Sequence, residues 1–240
     1  MNDRGFLYVS GEEAPSFLQS LVTCSVSLDE TRYGFLLTPH SRFLFDLFIT
    51  PYQEGYLLDA FNPDALLRTL NRYKLHRKVV IEPLLKKVGW SLERGKGFCF
   101  PDVRFEGFRF MMDENDDEES FIPIYHRHRI RNGISDPLSE LIPEKSMILE
   151  HKLPETAIDY KKGCYIGQEL IARTHYTGLI RKRMKPFEII EGHVNSGDHL
   201  CDGDLIVHSK SDAYILAMTR DSLWGKDEIV WRGVILKASS

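Results

Sequence analysis

A cysteine stands between two glycines in the stretch KGCYIGQELIART, residues 162–174. Lys161 and Lys162 precede it, and a run of helix-forming composition follows. A thiol attacks electrophiles and binds metal as the thiolate, and nearby positive charge stabilises that form. The sequence offers two sources of such charge: the lysines, and the unpaired N–H groups at the start of the following helix. Cys164 is therefore the first candidate for chemistry, set against the ordinary fate of a lone cysteine, which is to be buried and inert. Gly163 and Gly167 allow a tight turn or a close backbone approach. The spacing predicts a helix over 167–178, with Gly178 as its stop. Glu169 falls in its first turn and Arg173 in its last, as the helix dipole prefers, and the two form an i,i+4 pair with the acid first.

Other reactive residue types are scattered. Cys24 and Cys99 sit in apolar surroundings and read as core, while Cys201 lies in an acidic turn that does not favour a thiolate. The four cysteines form no CxxC pair, so reduced thiols are expected and a zinc site of paired spacing is not. His126, His128 and His175 have the imidazole that suits iron. Beside so many bases, each reads first as a surface or hydrogen-bonded side chain. Arg181, Lys182 and Arg183 form a basic patch after the helix, either a solvated face or a contact for an acidic partner. The chain of 240 residues carries a net charge of −4, and its basic stretches lack interleaved aromatics. Direct binding to nucleic acid is therefore not expected. The apolar run FLFDLFIT is short and contains Asp46, so no membrane span is expected.

The motif KGCYIGQELIAR resembles the signature of the YgfZ/GcvT-like family: Lys-Gly-Cys, an aromatic, one residue, Gly-Gln-Glu, then a small and a basic residue. FLQSLVT, SRFLFDLFI, YKLHRKVVIEP and HRIRNGI resemble further family segments, so the likeness covers most of residues 5–185. YHRHRIRNG followed by GCYIGQELIARTHYTGLIRKRM is most similar to the branch of iron–sulfur cluster assembly factors that mature four-iron enzymes. The resemblance implies that Cys164 supplies one ligand to a cluster shared with an A-type carrier protein, since a single cysteine can only share a cluster. It places Lys162, Gly163, Tyr165, Gly167, Gln168, Glu169 and Arg173 around the bound group. It implies an assembly factor without turnover, a monomer when alone, with iron–sulfur client enzymes as further partners. Any effect on tRNA modification would be indirect, through a cluster-containing enzyme. The compartment expected is bacterial cytoplasm, from the start at Met1, or the mitochondrial matrix if a presequence has been removed.

The alternative implied by the same family is a folate-binding one-carbon protein or an aminomethyltransferase-like enzyme, with tetrahydrofolate in a cavity lined by Cys164, Tyr165 and Gln168. Departures from the family pattern count against it. Cys24-Ser25 stands where the family has Asn-Asp, Ser41 where it has Gly, and Phe45-Asp46 where aminomethyltransferases have two aspartates. Arg131 occupies the place of a glutamate in folate-binding relatives. A carboxylate accepts hydrogen bonds from a pterin ring, and a guanidinium accepts none.

The elements that must position these residues are legible in outline. GFLYVSG reads as a strand and EEAPSFLQSLVT as a helix with Phe17, Leu18 and Leu21 on its apolar face. Residues 33–52 read as two strands joined at 38–41. Residues 62–74 read as a helix with Asn62 as N-cap, Pro63 at its first position, and Leu66, Leu67 and Leu70 on one face. HRKVVIEPL reads as a strand, 86–125 as strand and loop, the acidic run 113–120 as a solvated loop, and 135–161 as an extended connection. Short β-like runs separated by turn residues follow Arg183 and suggest a small barrel. The fold class is α+β. The resemblance implies three lobes around a central cavity: a first α+β domain at 1–90, a second at 91–183 ending in the cysteine loop and its helix, and a C-terminal β-barrel at 184–240.

Overall fold

Alternating apolar residues build two antiparallel sheets. The computed structural model of the protein describes residues 3–239 except 96, 114, 117–120 and 138. Most of the acidic run 113–120 therefore lies outside the described residues. The first sheet joins β1 (Arg4–Ser10), β2 (Arg32–Leu37), β3 (Phe43–Tyr52), β4 (Gly55–Phe61), β5 (Val80–Ser91), β6 (Cys99–Pro101) and β7 (Phe108–Met112) in the order β2-β3-β4-β1-β5-β7-β6. Every pairing in it is antiparallel.

The two faces of this sheet carry different cores, because successive side chains of a strand point to opposite sides. On one face, α1 (Ala14–Gln19) and α2 (Pro63–Lys74) bring Phe17, Leu18, Leu66 and Leu70 against Leu7, Leu47, Ile49 and Leu58. Asn62 caps α2 as expected, its side chain accepting from the Ala65 amide at 3.2 Å. On the other face, Phe6, Tyr33, Phe35, Phe43 and Phe48 pack against Ile148, Ala157, Ile158, Tyr165 and Ile171. Those last five come from the irregular 135–161 connection and from the cysteine loop with its helix, so the candidate site is laid over a rigid aromatic layer.

HRHRIR, for which no element was predicted, lies within a helix, α3 (Ile122–Arg131), which starts inside the 86–125 span expected as strand and loop and buries Tyr125, Arg129 and Ile130. Its basic residues mask the apolar stripe, and one of them, Arg129, points inward. The strands after Arg183 are β8 (Lys182–Glu191), β9 (His199–Leu200), β10 (Leu205–Ser211), β11 (Tyr214–Arg220), β12 (Glu228–Trp231) and β13 (Val234–Ala238). They pair in the linear order β12-β13-β8-β11-β10-β9, one six-stranded antiparallel sheet with β12 and β9 at its ends. No helix among the described residues is long and apolar enough to cross a membrane.

A continuous chain of buried charges runs through the interior. Asp46 accepts both carboxylate bonds from Arg4 at 2.8 Å, and Arg4 also donates to Asp59 at 2.7 Å. Arg109 bridges Asp59 and Asp102, Arg104 bridges Asp102 and Asp136, and Arg129 bridges Asp136 and Glu140. Ser209 of β10 donates to Glu140, so the chain reaches from the first sheet to the second. The guanidinium carbons of Arg4, Arg104 and Arg109 lie 5.6, 4.8 and 4.2 Å from the centre of the Phe48 ring. Burial alone would raise the carboxyl pKa of Asp102 and Asp136; the adjacent guanidiniums overcome it and hold both below the ordinary value.

Candidate functional site at the cysteine loop

The cysteine loop is tied down before and after Cys164. On its N-terminal side, Thr23 is the hinge of the attachment. Its hydroxyl donates to the Ala157 carbonyl at 2.7 Å and accepts from the Phe35 amide at 2.9 Å, and its carbonyl accepts from the Asp159 amide at 2.9 Å. Asp159 then closes an Asx turn, Oδ1 accepting from the amides of Lys161 and Lys162 at 2.8 and 3.2 Å. Ser25 donates to Oδ2, and this bond, with the Lys161 amide, holds the Asp159 carboxyl below its usual range. Lys162 completes the tether. Its ammonium donates to the carbonyls of Val22 and Cys24 at 2.8 and 2.7 Å and lies 5.4 Å from the centre of the Tyr165 ring. Partial burial lowers its pKa to about 8.

The C-terminal tether is made at Gly167. Its φ of +79° suits glycine, and a Cβ there would lie 2.5 Å from the Thr38 carbonyl oxygen. The turn between β2 and β3 thus packs directly on the loop, and Ser41 donates its hydroxyl to the Gly167 carbonyl. Ser41 itself has φ +60°, a left-handed conformation that glycine adopts more easily. From Gly167 the chain enters α4 (Gln168–Thr177), which ends at Gly178 with φ +66° and a bond from the Gly178 amide to the Thr174 carbonyl at 2.9 Å. Tyr165 is buried. Its amide donates to the Gln168 side chain at 3.4 Å, and its carbonyl accepts from the Gln168 amide at 3.3 Å. The ring of Tyr160 stacks on His175, centroids 3.7 Å apart, so the incoming strand of the loop runs beside the far end of α4.

Between the tethers Cys164 is exposed to solvent. A Cβ built on its neighbour Gly163 would meet nothing within 4 Å, so that glycine is not demanded by packing. Lys162 was expected to lend its charge to the thiol; it is spent on the Val22 and Cys24 carbonyls in the segment between α1 and β2. Glu169 and Arg173 are both exposed on α4, and the ion pair expected between them is not formed among the described residues. Two long solvated side chains gain little by holding one geometry.

The other candidates lie apart from the loop or are engaged elsewhere. His126 accepts from Arg129 at 2.9 Å, His128 packs on Trp90, and His175 is stacked on Tyr160. Among the described residues no group of three or more His, Cys, Asp or Glu is placed to hold a metal ion. Cys24 is buried, and burial pushes its thiol up to about 11. Burial also raises the Cys201 thiol. Cys99, expected in the core, is only half-buried, because β6 is the edge of its sheet, and its sulfur accepts from Arg94 at 3.3 Å. Thr23 and Asp159 escaped the sequence reading, and Ser25 and Ser41, singled out there only as departures from the family pattern, are tethers of the loop. Asp159, two residues before Lys161, has the spacing of an Asx turn and could have been found.

No family model matches the chain. Curated relatives do. The mitochondrial iron–sulfur cluster assembly factor IBA57 of Homo sapiens is 29% identical over 240 aligned positions, which cover 82% of this chain and 67% of the human protein. The Mus musculus protein of the same name is 28% identical over 79% of this chain and 65% of its own length. The Pyricularia oryzae homologue is 29% identical over 78% of this chain and 56% of its own length.

The chain is a relative of the iron–sulfur cluster assembly factors.

It spans between just over half and two thirds of the length of these three relatives. Among solved structures, the glycine cleavage system aminomethyltransferase T of Bartonella henselae superposes with a TM-score of 0.77 over 99% of this chain and 83% of that one, at 13% identity. At that identity the match speaks for the fold, which is GcvT-like and α+β. Asp46 is fully buried and doubly bonded to Arg4. Arg131 is exposed, its guanidinium 5.6 Å from the ring centre of Tyr214.

Proposed function

We propose that the chain is an iron–sulfur cluster assembly factor in which Cys164 supplies one ligand to a cluster shared with an A-type carrier protein. The observation that carries this reading is a solvent-exposed thiol on a loop fixed at both ends. The cluster is cargo, and a lone cysteine needs the remaining ligands from its partner or from a small thiol. Thr23, Asp159 and Lys162 fix the loop on one side and Ser41 and Gly167 on the other, so the thiol is presented with little freedom left to lose on binding. Tyr165 and Gln168 pack and cap the start of α4, leaving Gly163, Glu169 and Arg173 on the surface that a partner would cover. The four-iron client enzymes are further partners, and the chain alone is a monomer with no turnover of its own. The mitochondrial compartment of the relatives supports the matrix over the bacterial cytoplasm. The division into units at 1–90, 91–183 and 184–240 around a central cavity belongs to the same reading.

The test is an anaerobic absorption spectrum of the protein mixed with an A-type carrier and a reconstituted two-iron cluster, wild type against Cys164→Ser. A coloured heterocomplex in the wild type, lost in the serine variant, is the expected result. Equal spectra would overturn the assignment of Cys164. The GcvT-like fold favours folate as a second reading, and the residues do not fit it. The Asp46 carboxylate is committed to Arg4, and Arg131 cannot accept from a pterin. Calorimetric titration with tetrahydrofolate should give weak or no binding; a tight complex would reinstate the folate reading.

A further inference from the structure

A cleft of about 440 Å³ opens where the 149–152 segment meets the start of β8. Its cations are Lys152, Arg183 and Lys185, and its apolar wall is Leu149, Met184 and Pro186. None of the three cations takes part in an ion pair among the described residues. The one acid in the lining is Glu150, whose partial burial raises its pKa against the opposing fields of Lys182 and Arg42. Those two cations extend the positive surface out of the cleft. Arg42 follows Ser41, the residue bonded to Gly167, so the strip leads back to the cysteine loop. Ile180, three residues beyond the end of α4, forms another part of the wall. The cleft wall at Ile180 and the cysteine loop at Gly167 therefore stand at opposite ends of α4, whose ten residues span roughly 15 Å. Between them, Tyr176 and Leu179 are exposed by 76% and 74%, large apolar side chains on a surface otherwise rich in charge.

We infer that this cleft docks an acidic segment, carrying one apolar side chain, of the protein that meets Cys164. The inference rests on the shared-cluster reading for the identity of the partner, not for the chemistry of the cleft. The cations would pair with carboxylates, and the aliphatic wall would take the apolar side chain. The one ring in the lining, His151, is buried and hydrogen-bonded to Ser135, and no Phe, Tyr or Trp lines the cleft for a base to stack on, which sets the site apart from a single-strand nucleic-acid groove. The length of α4 lies within one ordinary interface of about 800 Å² per partner. The strip of cations outside the cleft exceeds what a small anion would use.

The experiment is a fluorescence anisotropy titration of the whole protein with a fluorescein-labelled Glu-Glu-Leu-Glu-Glu peptide. The proteins compared are wild type, Lys152→Glu/Lys185→Glu, the milder Lys152→Gln/Lys185→Gln, and Arg72→Glu as a charge reversal on an exposed residue of α2, away from the cleft. Wild-type binding should weaken as salt is raised. The Glu pair should raise Kd by about tenfold or more, the Gln pair by less, and Arg72→Glu should leave it near the wild-type value. The Gln pair keeps the test valid if charge reversal harms folding. No binding to the wild type, or equal Kd across the variants, overturns the inference. So does an oligouridylate that displaces the peptide and loses affinity with the same lysines, since the cleft would then belong to nucleic acid. No cluster is present in this titration, so its outcome is independent of Cys164: peptide binding without a heterocomplex spectrum would retain the dock and remove the ligand assignment.

Discussion

At the scale of single residues, Lys162 shows how a charge can serve a loop without touching its reactive atom. Its ammonium satisfies two carbonyls in the segment between α1 and β2, and burial lowers its pKa from 10.5 to about 8. In that window the unfolded chain binds the proton and the folded chain does not, so the charge costs stability in full below about pH 8, and the cost fades as pH rises towards 10.5. The variant Lys162→Met has no such titration and leaves both carbonyls unpaired. Urea midpoints should therefore show the wild type gaining on Lys162→Met between about pH 7 and about pH 10. A constant gap would mean that the lysine is not held where the hydrogen bonds place it. Cys164→Ser should keep the wild-type melting curve, because the side chain is exposed and packs on nothing that the substitution removes. Its effect belongs to the cluster spectrum alone.

At the scale of elements, the loop and α4 are set by two glycines of opposite character. Gly167 has a positive φ and no room for a Cβ, whereas Gly163 has open space around it. Gly167→Ala should cost about 1–3 kcal/mol in urea unfolding, and it should push the loop off the turn at 38–41. Gly163→Ala should change stability by less than about 0.5 kcal/mol. If Gly163→Ala nevertheless weakened the heterocomplex, the open space beside Cys164 would be space that the partner uses. The sequence motif holds both glycines alike; only the backbone angles and neighbours separate them. The same scale explains α3. The stretch is dense in bases and its composition names no element, yet Arg129 turns inward to Glu140 and Asp136, and Tyr125 near it donates to Asp136 at 2.7 Å.

At the scale of the whole molecule, the buried chain of arginines and carboxylates joins elements from β1 to β10. Removing one partner leaves charges buried without compensation. Arg109→Met strips both Asp59 and Asp102 of a guanidinium and should cost about 3–5 kcal/mol. Lys78→Met, which breaks the largely exposed pair with Glu12, should cost less than about 1 kcal/mol. Chemical denaturation of the two variants checks the contrast. A small loss for Arg109→Met would mean that water reaches the network. The network commits the acids of the interior to arginines.

Much of the local structure was determined by the sequence itself. The Asn62-Pro63 start of α2, the span of α4 between Gly167 and Gly178, and the alternating strands follow from capping, backbone freedom and side-chain period, all of which act over a few residues. The candidate thiol was legible for the same reason: glycines, lysines and a helix start are neighbours in sequence. What surrounds it was decided by tertiary structure. Thr23 and Ser25 reach Ala157 and Asp159 across 134 residues, and Ser41 reaches Gly167 across 126. Lys162 finds its partners 140 and 138 residues away, which is why its charge was misplaced when read from its neighbours. The linear order of the C-terminal sheet and the inward turn of Arg129 are likewise settled by partners distant along the chain. A hydrogen bond or an ion pair depends on where two groups meet in space, and residue spacing predicts that meeting only within a helix, a strand or a turn.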